Sequence, residues 1–174
     1  MINRELEKEL LRIKDSESDY LIPSHSEVYQ KVLNQMASPF KNSDINKVVG
    51  LDMKGLMYGP VIADRLKVPF VPILKGGKIG DRELVVQGEG FIDYSGKRKS
   101  IELFKSSIKK TDRILLIDDW FESGETGRSA ISLIEQLGGT ISGISVIFNQ
   151  LKPIEEESFS DYNFHFLVRL IPKE

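Results

Sequence analysis

The sequence predicts an α/β fold built on a doubly wound, mostly parallel sheet. Short aliphatic runs bounded by charge alternate along the 174 residues with longer segments of helical periodicity. This alternation is typical of parallel strands joined by right-handed crossover helices. Such a sheet is covered on both faces and binds ligands where its strands end. We therefore expect the polar loops that follow the predicted strands to meet along one edge.

Helices are predicted where apolar residues recur at intervals of three and four. Leu6, Leu10 and Ile13 form such a stripe near the start of the chain, and residues 14–20 after it are polar and loop-like. The last predicted helix stops at a pair of glycines, a common helix terminator. The predicted helices span residues 3–14, 26–37, 56–66, 100–109 and 127–137.

Strands are predicted at short runs of aliphatic or β-branched residues between charged or turn-forming segments. The run at 113–117 is the clearest, because it is wholly aliphatic after its first residue. The predicted strands span residues 47–51, 69–74, 84–93, 113–117, 142–148 and 164–170. We expect one domain over residues 1–174, with its core at about residues 40–150.

Composition narrows the classes of function. A net charge of −2 argues against a general nucleic-acid or membrane surface, so any affinity for phosphate must be local. The absence of cysteine excludes disulfides, thiolate metal sites and a cysteine nucleophile. The start of the chain is too charged for a signal peptide, and no apolar run approaches membrane-spanning length. The cytoplasm is the expected location.

The most informative segment is the loop that follows the predicted strand at 113–117. Asp118 and Asp119 end that strand, and their carboxylates would accept hydrogen bonds from sugar hydroxyls. Gly124 would let the backbone approach a phosphate at the start of the next helix, with Ser123 and Thr126 as hydroxyl donors. A solvated turn that caps a helix would explain the same pattern without a ligand.

This segment resembles the phosphoribosyl-pyrophosphate (PRPP) signature of type I phosphoribosyltransferases. Residues 47–60 are similar to the pyrophosphate loop of the adenine phosphoribosyltransferases, and residues 68–79 are similar to a second, lysine-containing run of that subfamily. The resemblance runs in order over roughly residues 47–148. It implies a type I phosphoribosyltransferase fold in which the terminal segments form a small hood over the base.

The resemblance implies that PRPP binds with Mg²⁺ and that a base displaces pyrophosphate with inversion. Asp118 and Asp119 would hold the ribose hydroxyls and the hydrated metal, and residues 122–126 would hold the 5′-phosphate. Mg²⁺ would keep several waters and bind through substrate oxygens, without a full protein cage. Glu122 and Glu125 depart from this picture, since an acidic side chain in the cradle opposes phosphate. The alternative is that both carboxylates face solvent.

The resemblance also assigns cations to the diphosphate. Lys54, followed by Gly55, stands where the family usually has arginine, so it keeps the charge and loses the planar fork of donors. Lys75 and Lys78 match lysines of the family pattern and are candidate diphosphate ligands, including across a homodimer interface. An ordinary solvated lysine cluster is the alternative. Asp52 matches an acidic position before the loop, or simply ends a strand.

Residues 85–99 resemble the flexible catalytic loop of the adenine enzymes. Asp93 would help protonate the leaving group or contact the base, and Tyr94 would cover the diphosphate. Asp93 is one methylene shorter than the usual glutamate, which matters where productive geometry is narrow. Closure of this flap would exclude water from the site. A hairpin without a catalytic role is the alternative.

Recognition of the base is the least specified part of the sequence. The base loop of the adenine enzymes is absent, residues 19–26 occupy its region, and Leu74 replaces an arginine. Adenine is therefore not secured as the substrate. Trp120 is expected to pack beside the site. The aromatic residues that could stack on a base, or belong to the core instead, are Tyr20, Phe91 and Phe148.

Three functions are compatible with these patterns. The leading one is Mg²⁺-dependent transfer of a phosphoribosyl group from PRPP to a purine-like base, by a homodimer that needs neither nucleic acid nor membrane. The second is a PRPP- or nucleotide-binding regulator without turnover, because Lys54, Asp93 and Glu125 depart from the family pattern. The third is a phosphatase or kinase-like fold, although the phosphate-binding motif of kinases is missing.

Overall fold

A twisted sheet runs through the protein in the computed structural model, which describes residues 3–88, 90–92 and 98–172. The α-helices in these ranges are α1 (Arg4–Ser16), α2 (Ser26–Ala37), α3 (Gly55–Leu66), α4 (Glu125–Gln136) and α5 (Pro153–Glu156). The strands in these ranges are β1 (Lys47–Leu51), β2 (Phe70–Lys75), β3 (Val85–Gln87), β4 (Phe91–Ile92), β5 (Arg98–Lys99), β6 (Ile101–Phe104), β7 (Arg113–Ile117), β8 (Trp120–Phe121), β9 (Thr140–Asn149) and β10 (Phe164–Arg169).

The predicted α/β class with a mostly parallel sheet is confirmed. Eight described strands form the main sheet in the order β10-β9-β7-β1-β2-β6-β3, with β8 paired to β9. The pairs from β10 to β2 are parallel, whereas β6 pairs antiparallel with both β2 and β3. Strands β4 and β5 form a separate antiparallel ribbon. No helix in the described ranges has the length and apolar character needed to cross a bilayer.

Helices cover both faces of the sheet, which explains why the central strand β7 is apolar at every position after Arg113. Leu115 and Ile117 of β7 belong to the core shared with α1, α2 and α3. Ile114 and Leu116 belong to the core shared with α4 on the other face. Neighbouring side chains of a strand point to opposite faces, so a strand between two helical layers buries all of them.

The predicted helix over residues 100–109 is wrong. Residues 101–104 form β6, which pairs with β2 and β3, and Lys105–Ser107 form a single 3-10 turn. Ile101 and Leu103 are buried on one side of this strand while Glu102 is buried on the other, so the period is two rather than 3.6. The predicted strand over 84–93 is split, because β3 and β4 lie in different sheets. The other predicted helices and strands agree with the structure to within two residues.

The terminal segments take different positions. The N-terminal segment was expected to form a loop over residues 14–20, but α1 continues to Ser16 and Asp19–Ser24 form a 3-10 helix. The C-terminal segment enters the main sheet as edge strand β10, parallel to β9. Of the two terminal segments, only the N-terminal one lies outside the sheet beside the ligand edge, and the division into core and hood stays a prediction.

A buried carboxylate fixes the loop that follows β2. Glu102 Oε2 accepts the Gly77 N–H at 3.0 Å and Oε1 accepts the Ile79 N–H at 2.6 Å. Arg82 Nη1 lies 2.5 Å from Oε2. Burial alone would raise the pKa of Glu102, but these three donors outweigh it and lower the pKa to about 2. The loop is thus held to the sheet by an ionised side chain.

Replacing Glu102 by glutamine is expected to destabilise the fold by about 2 kcal/mol at neutral pH, since bonds to a charged acceptor are lost. A depressed pKa in the folded state stabilises the fold above the ordinary pKa of 4.5, and this stability is lost as the pH falls toward 2. The gap between wild type and Glu102→Gln in urea unfolding should therefore shrink below about pH 4. Glu83→Gln, on an exposed part of the same loop, is the control. A gap of constant size across pH would contradict this account.

Candidate functional site

A cavity of about 440 Å³ opens at the carboxyl edge of the sheet. It is bounded by the loops after β1 and β7, the end of β2, the start of α4 and the N-terminal 3-10 helix. Polar loops that are far apart in the sequence meet here, as expected for the ends of parallel strands. The predicted site residues that line the cavity are Lys54, Lys75, Asp118, Asp119, Glu122, Ser123, Glu125 and Thr126.

Other predicted site residues lie near the cavity without lining it. Gly55 begins α3 and is buried, and a Cβ there would come within 2.7 Å of the Ile117 carbonyl oxygen. Gly124 caps α4, and Lys78 is exposed on the loop after β2. Asp93 and Tyr94 lie outside the described residues. Gly55 thus serves the close approach of α3 to β7 and places the preceding loop.

The paired carboxylates at the end of β7 are buried. Asp118 and Asp119 are 8% and 7% exposed. Asp118 Oδ1 accepts the Asp119 N–H at 2.9 Å, and the Asp119 carbonyl accepts N–H groups of Ile147 and Phe148 at 3.0 and 2.8 Å. Burial raises the pKa of Asp118 well above its usual range, and the charge of Asp119 raises it further. The pair is therefore held where ionisation is costly, and hydroxyl donors or a cation would relieve that cost.

Lys54 supplies the counter-charge to the carboxylate pair. Its ammonium donates to Asp119 Oδ2 at 2.8 Å and also to Asp19. The same ammonium lies 4.2 Å above the ring of Tyr20. Burial lowers the pKa of Lys54, but the two carboxylates outweigh it and raise the pKa above its ordinary value. Burial still raises the pKa of Asp119, although Lys54 opposes this.

Asp19 is a site residue that sequence reasoning missed. It lies on the N-terminal 3-10 helix and lines the cavity together with Tyr20. The only sequence signal was the acidic residue itself, next to the tyrosine proposed for base stacking. Nothing in its local pattern indicates a partner 35 positions away, because only the tertiary fold brings Lys54 to it.

The loop before α4 has the geometry of an anion cradle. Gly124 has φ +73°, a conformation that side-chain-bearing residues rarely adopt, and a Cβ there would come within 2.8 Å of the Phe159 ring. The first N–H groups of α4 have no partner within the helix and carry its positive dipole end. Ser123 Oγ faces the Glu125 N–H at 3.5 Å, and Glu125 Oε1 accepts from Arg128 Nη2 at 2.7 Å.

The cavity carries an excess of negative charge. Lys75, the last residue of β2, is exposed, and its ammonium lies 3.7 Å from Asp52 Oδ2 on the loop after β1. A polyanionic ligand would need compensating cations to enter this environment. The acidic residues lining the cavity are Asp19, Asp52, Asp118, Asp119, Glu122 and Glu125, against Lys54, Lys75 and Lys99.

Aromatic side chains form part of the cavity wall. Trp120 packs on Phe148 with ring centroids 4.9 Å apart, donates to Gln150 Oε1 at 3.1 Å and lines the cavity, so its predicted packing role is confirmed. Phe148 is fully buried and belongs to the core. Tyr20 is 48% exposed, and Phe91 also lines the cavity. Tyr20 and Trp120 are therefore rings of the cavity wall that lie beside the Lys54 ammonium.

Comparison with known proteins gives one consistent result. A family model described as a phosphoribosyl transferase domain matches residues 26–170. The adenine phosphoribosyltransferase of Thermobifida fusca is 32% identical over 124 residues, which cover 71% of this chain and 68% of that protein. The adenine phosphoribosyltransferase of Koribacter versatilis is 30% identical over 138 residues, which cover 79% and 74%.

Solved structures show the same likeness. The enzyme from Giardia lamblia in complex with 9-deazaadenine has a TM-score of 0.76 and 28% identity, covering 86% of this chain and 83% of that one. The adenine phosphoribosyltransferase from Trypanosoma brucei in complex with AMP, pyrophosphate and ribose-5-phosphate has a TM-score of 0.76 and 26% identity, covering 85% and 67%. Both likenesses extend over most of the sheet and its helices.

Replacing Asp118 by asparagine is expected to stabilise the ligand-free protein at neutral pH. A carboxyl whose pKa is raised on folding contributes stability below its ordinary pKa of 3.8, and that stability is lost as the pH rises through the folded-state value. Asparagine resembles the neutral acid and does not ionise. Urea unfolding should show a gain of about 1 kcal/mol or more near pH 8 that disappears near pH 4.

Asp161→Asn is the matched control, because Asp161 is exposed and remote from the cavity. It should leave the free energy of unfolding unchanged at both pH values. A loss of stability in Asp118→Asn near pH 8 would show that the carboxylate stabilises the strand end instead of straining it.

Proposed function

This chain belongs to the phosphoribosyl transferase family, and we propose that it transfers the 5-phosphoribosyl group of PRPP to a purine-like base and releases pyrophosphate. One observation carries the proposal. A buried carboxylate pair, an anion cradle and two lysines converge on a single cavity from loops that follow different strands. These are the groups that ribose hydroxyls, a 5′-phosphate and a diphosphate require.

The ribose and its phosphate are proposed to bind between β7 and α4. Ribose hydroxyls donate to Asp118 and Asp119, whose carboxylates are buried and therefore gain from further donors. The 5′-phosphate accepts from the backbone N–H groups around Ser123 to Thr126 and from their hydroxyls. Gly124 allows the loop to take this path, because its left-handed conformation and the Phe159 ring behind it exclude a side chain.

Lys54 and Lys75 are proposed to meet the diphosphate. Lys54 donates to Asp119 before PRPP binds, so PRPP binding exchanges one anionic partner of the ammonium for another. Ribose hydroxyls then replace Lys54 as donors to Asp119. Gly55 contributes by seating α3 against β7, which places the Lys54 loop beside the Asp pair. Lys78 is proposed to act across a homodimer interface, since it does not line the cavity of its own chain.

The base is proposed to lie against Tyr20 and Trp120. These rings line the cavity beside Lys54, whose ammonium is 4.2 Å from the Tyr20 ring centroid and 6.0 Å from that of Trp120. A flat heterocycle stacks well on such faces. The relatives named as adenine phosphoribosyltransferases support a purine-like acceptor, and the different N-terminal segment leaves the choice among purines to experiment.

Mg²⁺ is proposed as the cofactor, and the residues present fit it. Six carboxylates against three lysines line the cavity, so a polyanionic substrate enters more readily with a divalent cation. The described residues contain no cluster of three or more His, Asp or Glu able to hold a metal by themselves. Asp118 and Asp119 would hold the ion through its waters and through substrate oxygens, where it offsets the charge of the leaving diphosphate.

The flap is proposed to close over this site. Phe91 on β4 and Lys99 on β5 both line the cavity, so the chain approaches it from both ends of residues 93–97. Asp93 would serve proton transfer or contact the base, and Tyr94 would cover the diphosphate. A transition state with oxocarbenium character needs a stabilised leaving group and a dry site more than a strong base.

We propose that the enzyme is a homodimer located in the cytoplasm. Each subunit is one domain with a small hood. The lack of cysteine is compatible with a reducing compartment. Lys78 and Leu84, which is 55% exposed, lie near the loop after β2 on a surface that a second subunit could cover. The 3-10 helix of Asp19–Ser24 supports a hood on the N-terminal side.

A regulator without turnover is the second candidate function, and one observation favours it. Lys54 is already bound by Asp19 and Asp119, so it must exchange partners before it can serve a leaving group. A binding protein would tolerate that arrangement more easily than a fast enzyme. The third hypothesis, a phosphatase or kinase-like fold, is overturned by the family match over residues 26–170.

Turnover is expected with PRPP, Mg²⁺ and at least one purine. Purified protein should release pyrophosphate when PRPP is offered with adenine, guanine, hypoxanthine or xanthine, and chelation of Mg²⁺ should stop the release. Uracil and orotate are the control bases. PRPP binding by calorimetry without product from any base would favour the regulator, and the absence of PRPP binding would contradict both functions.

Lys54→Met is expected to raise the KM for PRPP by about 10- to 100-fold, since a charge-assisted hydrogen bond to the diphosphate is lost. Lys54→Arg should retain most of the affinity, because the charge remains and a planar fork suits phosphate oxygens. Lys8→Met, an exposed change on α1, is the matched control. Unchanged kinetics in Lys54→Met would remove Lys54 from the diphosphate site.

A further inference from the structure

Arg128 lies on the first turn of α4, behind the loop that lines the cavity. Its Nη2 donates to the Ser123 carbonyl at 2.6 Å and to Glu125 Oε1 at 2.7 Å. Its Nη1 donates to Ser158 Oγ at 3.1 Å. Ser123 and Glu125 line the cavity and Arg128 does not. The guanidinium therefore contacts the loop from the side that faces away from the cavity.

The guanidinium is itself held in place. It lies 5.7 Å from the ring centroid of Phe159, which is fully buried and stacks near Phe121 with centroids 5.1 Å apart. A Cβ added to Gly124 would come within 3.0 Å of Arg128 Nη1. The loop and the guanidinium are thus in direct contact, with an aromatic core behind them.

The contact with the Ser123 carbonyl orients one peptide group. The C=O and N–H of a trans peptide point in opposite directions, and the bond between Ser123 and Gly124 is trans. Because the carbonyl points to Arg128, the N–H of Gly124 points away from the guanidinium, to the side on which Ser123 and Thr126 line the cavity. That N–H is then a donor aimed at an anion in the cradle.

The contact with Glu125 neutralises a carboxylate that would otherwise repel a phosphate. A carboxylate that borders a phosphate cradle repels the phosphate. The guanidinium neutralises Glu125 and directs its Oε1 toward the back of the loop. Without Arg128, the Glu125 carboxylate would keep its charge and gain freedom to turn toward the ligand.

We propose that Arg128 is a positioning residue for the 5′-phosphate of PRPP: it aims the Gly124 N–H into the cradle and draws the Glu125 carboxylate away from it. This role rests on the proposed function, which supplies the phosphate. It makes the effect of Arg128 specific to ligands that carry the ribose phosphate. The diphosphate, which Lys54 and Lys75 bind, should not depend on it.

Arg128→Met tests this specificity by calorimetry with ribose 5-phosphate and with inorganic pyrophosphate. We expect the Kd for ribose 5-phosphate to rise at least about tenfold, while the Kd for pyrophosphate with Mg²⁺ changes by less than about twofold. In turnover, the KM for PRPP should rise while kcat stays nearly constant, as for an interaction made equally in the ground and transition states. Ser158→Ala removes the Nη1 contact and a local bond to the Glu155 carbonyl but keeps both contacts of Nη2, so it is the matched control and should bind as the wild type does.

Two further variants separate the two parts of the role. Arg128→Lys keeps the charge but cannot bond both acceptors in a fork, so its affinity for ribose 5-phosphate should lie between those of wild type and Arg128→Met. The double variant Arg128→Met with Glu125→Gln removes the repulsive charge and should recover part of the lost affinity. A change that only loosened the fold would show no such recovery.

The outcomes distinguish this proposal from the function on which it rests. If the wild type binds neither ribose 5-phosphate nor PRPP, the proposed function fails and the role of Arg128 with it. If the wild type binds both and Arg128→Met binds them equally well, only the role of Arg128 is overturned. Equal losses for ribose 5-phosphate and pyrophosphate would also overturn it. Should Arg128→Met fail to fold, Arg128→Lys with wild-type affinity would overturn it in the same way.

Discussion

The buried carboxylate pair at the end of β7 is the constraint on which the site depends. Two adjacent charges in a poorly solvated position repel each other and lack water, so the chain must supply donors and a cation. Backbone N–H groups supply some of the donors, and Lys54 supplies the cation. The Lys54 loop, the N-terminal 3-10 helix and β7 are thereby held together around the place where a ligand would enter.

The same constraint links function to stability. In the free protein Lys54 bridges Asp119 and Asp19, so it joins the N-terminal segment to the central sheet. On the proposed function, a ligand with hydroxyl donors and its own cation would replace Lys54 as the partner of the carboxylates and release it toward anionic groups. Binding would therefore exchange one set of electrostatic partners for another. Such an exchange requires that Lys54 and the carboxylates have electrostatic partners without the ligand and more favourable partners with it.

Much of the fold could be predicted from the sequence because its central elements are locally consistent. The strand at 113–117 and the helix at 26–37 were predicted with their observed bounds, since burial on both faces or on one stripe leaves a clear pattern. The helix predicted over residues 100–109 is wrong, because buried Glu102 gives no periodic signal for a strand. Its partners Gly77, Ile79 and Arg82 are more than 19 residues away in the sequence. The Asp pair and the loop to Thr126 could be predicted from local spacing. Asp19 could not, since only tertiary structure brings it to Lys54.

An acidic cavity that receives a polyanion is less paradoxical than its charges suggest. The net charge of −2 describes the whole chain and does not determine the charge within a few ångströms of a bound phosphate. At the cradle, Gly124 permits the left-handed turn of the loop against Phe159, the start of α4 offers aligned N–H groups, and Arg128 neutralises Glu125. On the proposed function, the ligand would present hydroxyls and a hydrated cation to the Asp pair in place of bare charge. The carboxylate pair at the end of β7 and the cradle at the start of α4 are separate parts of one cavity, because the loop that joins them is anchored in the sheet at one end and in the helix at the other.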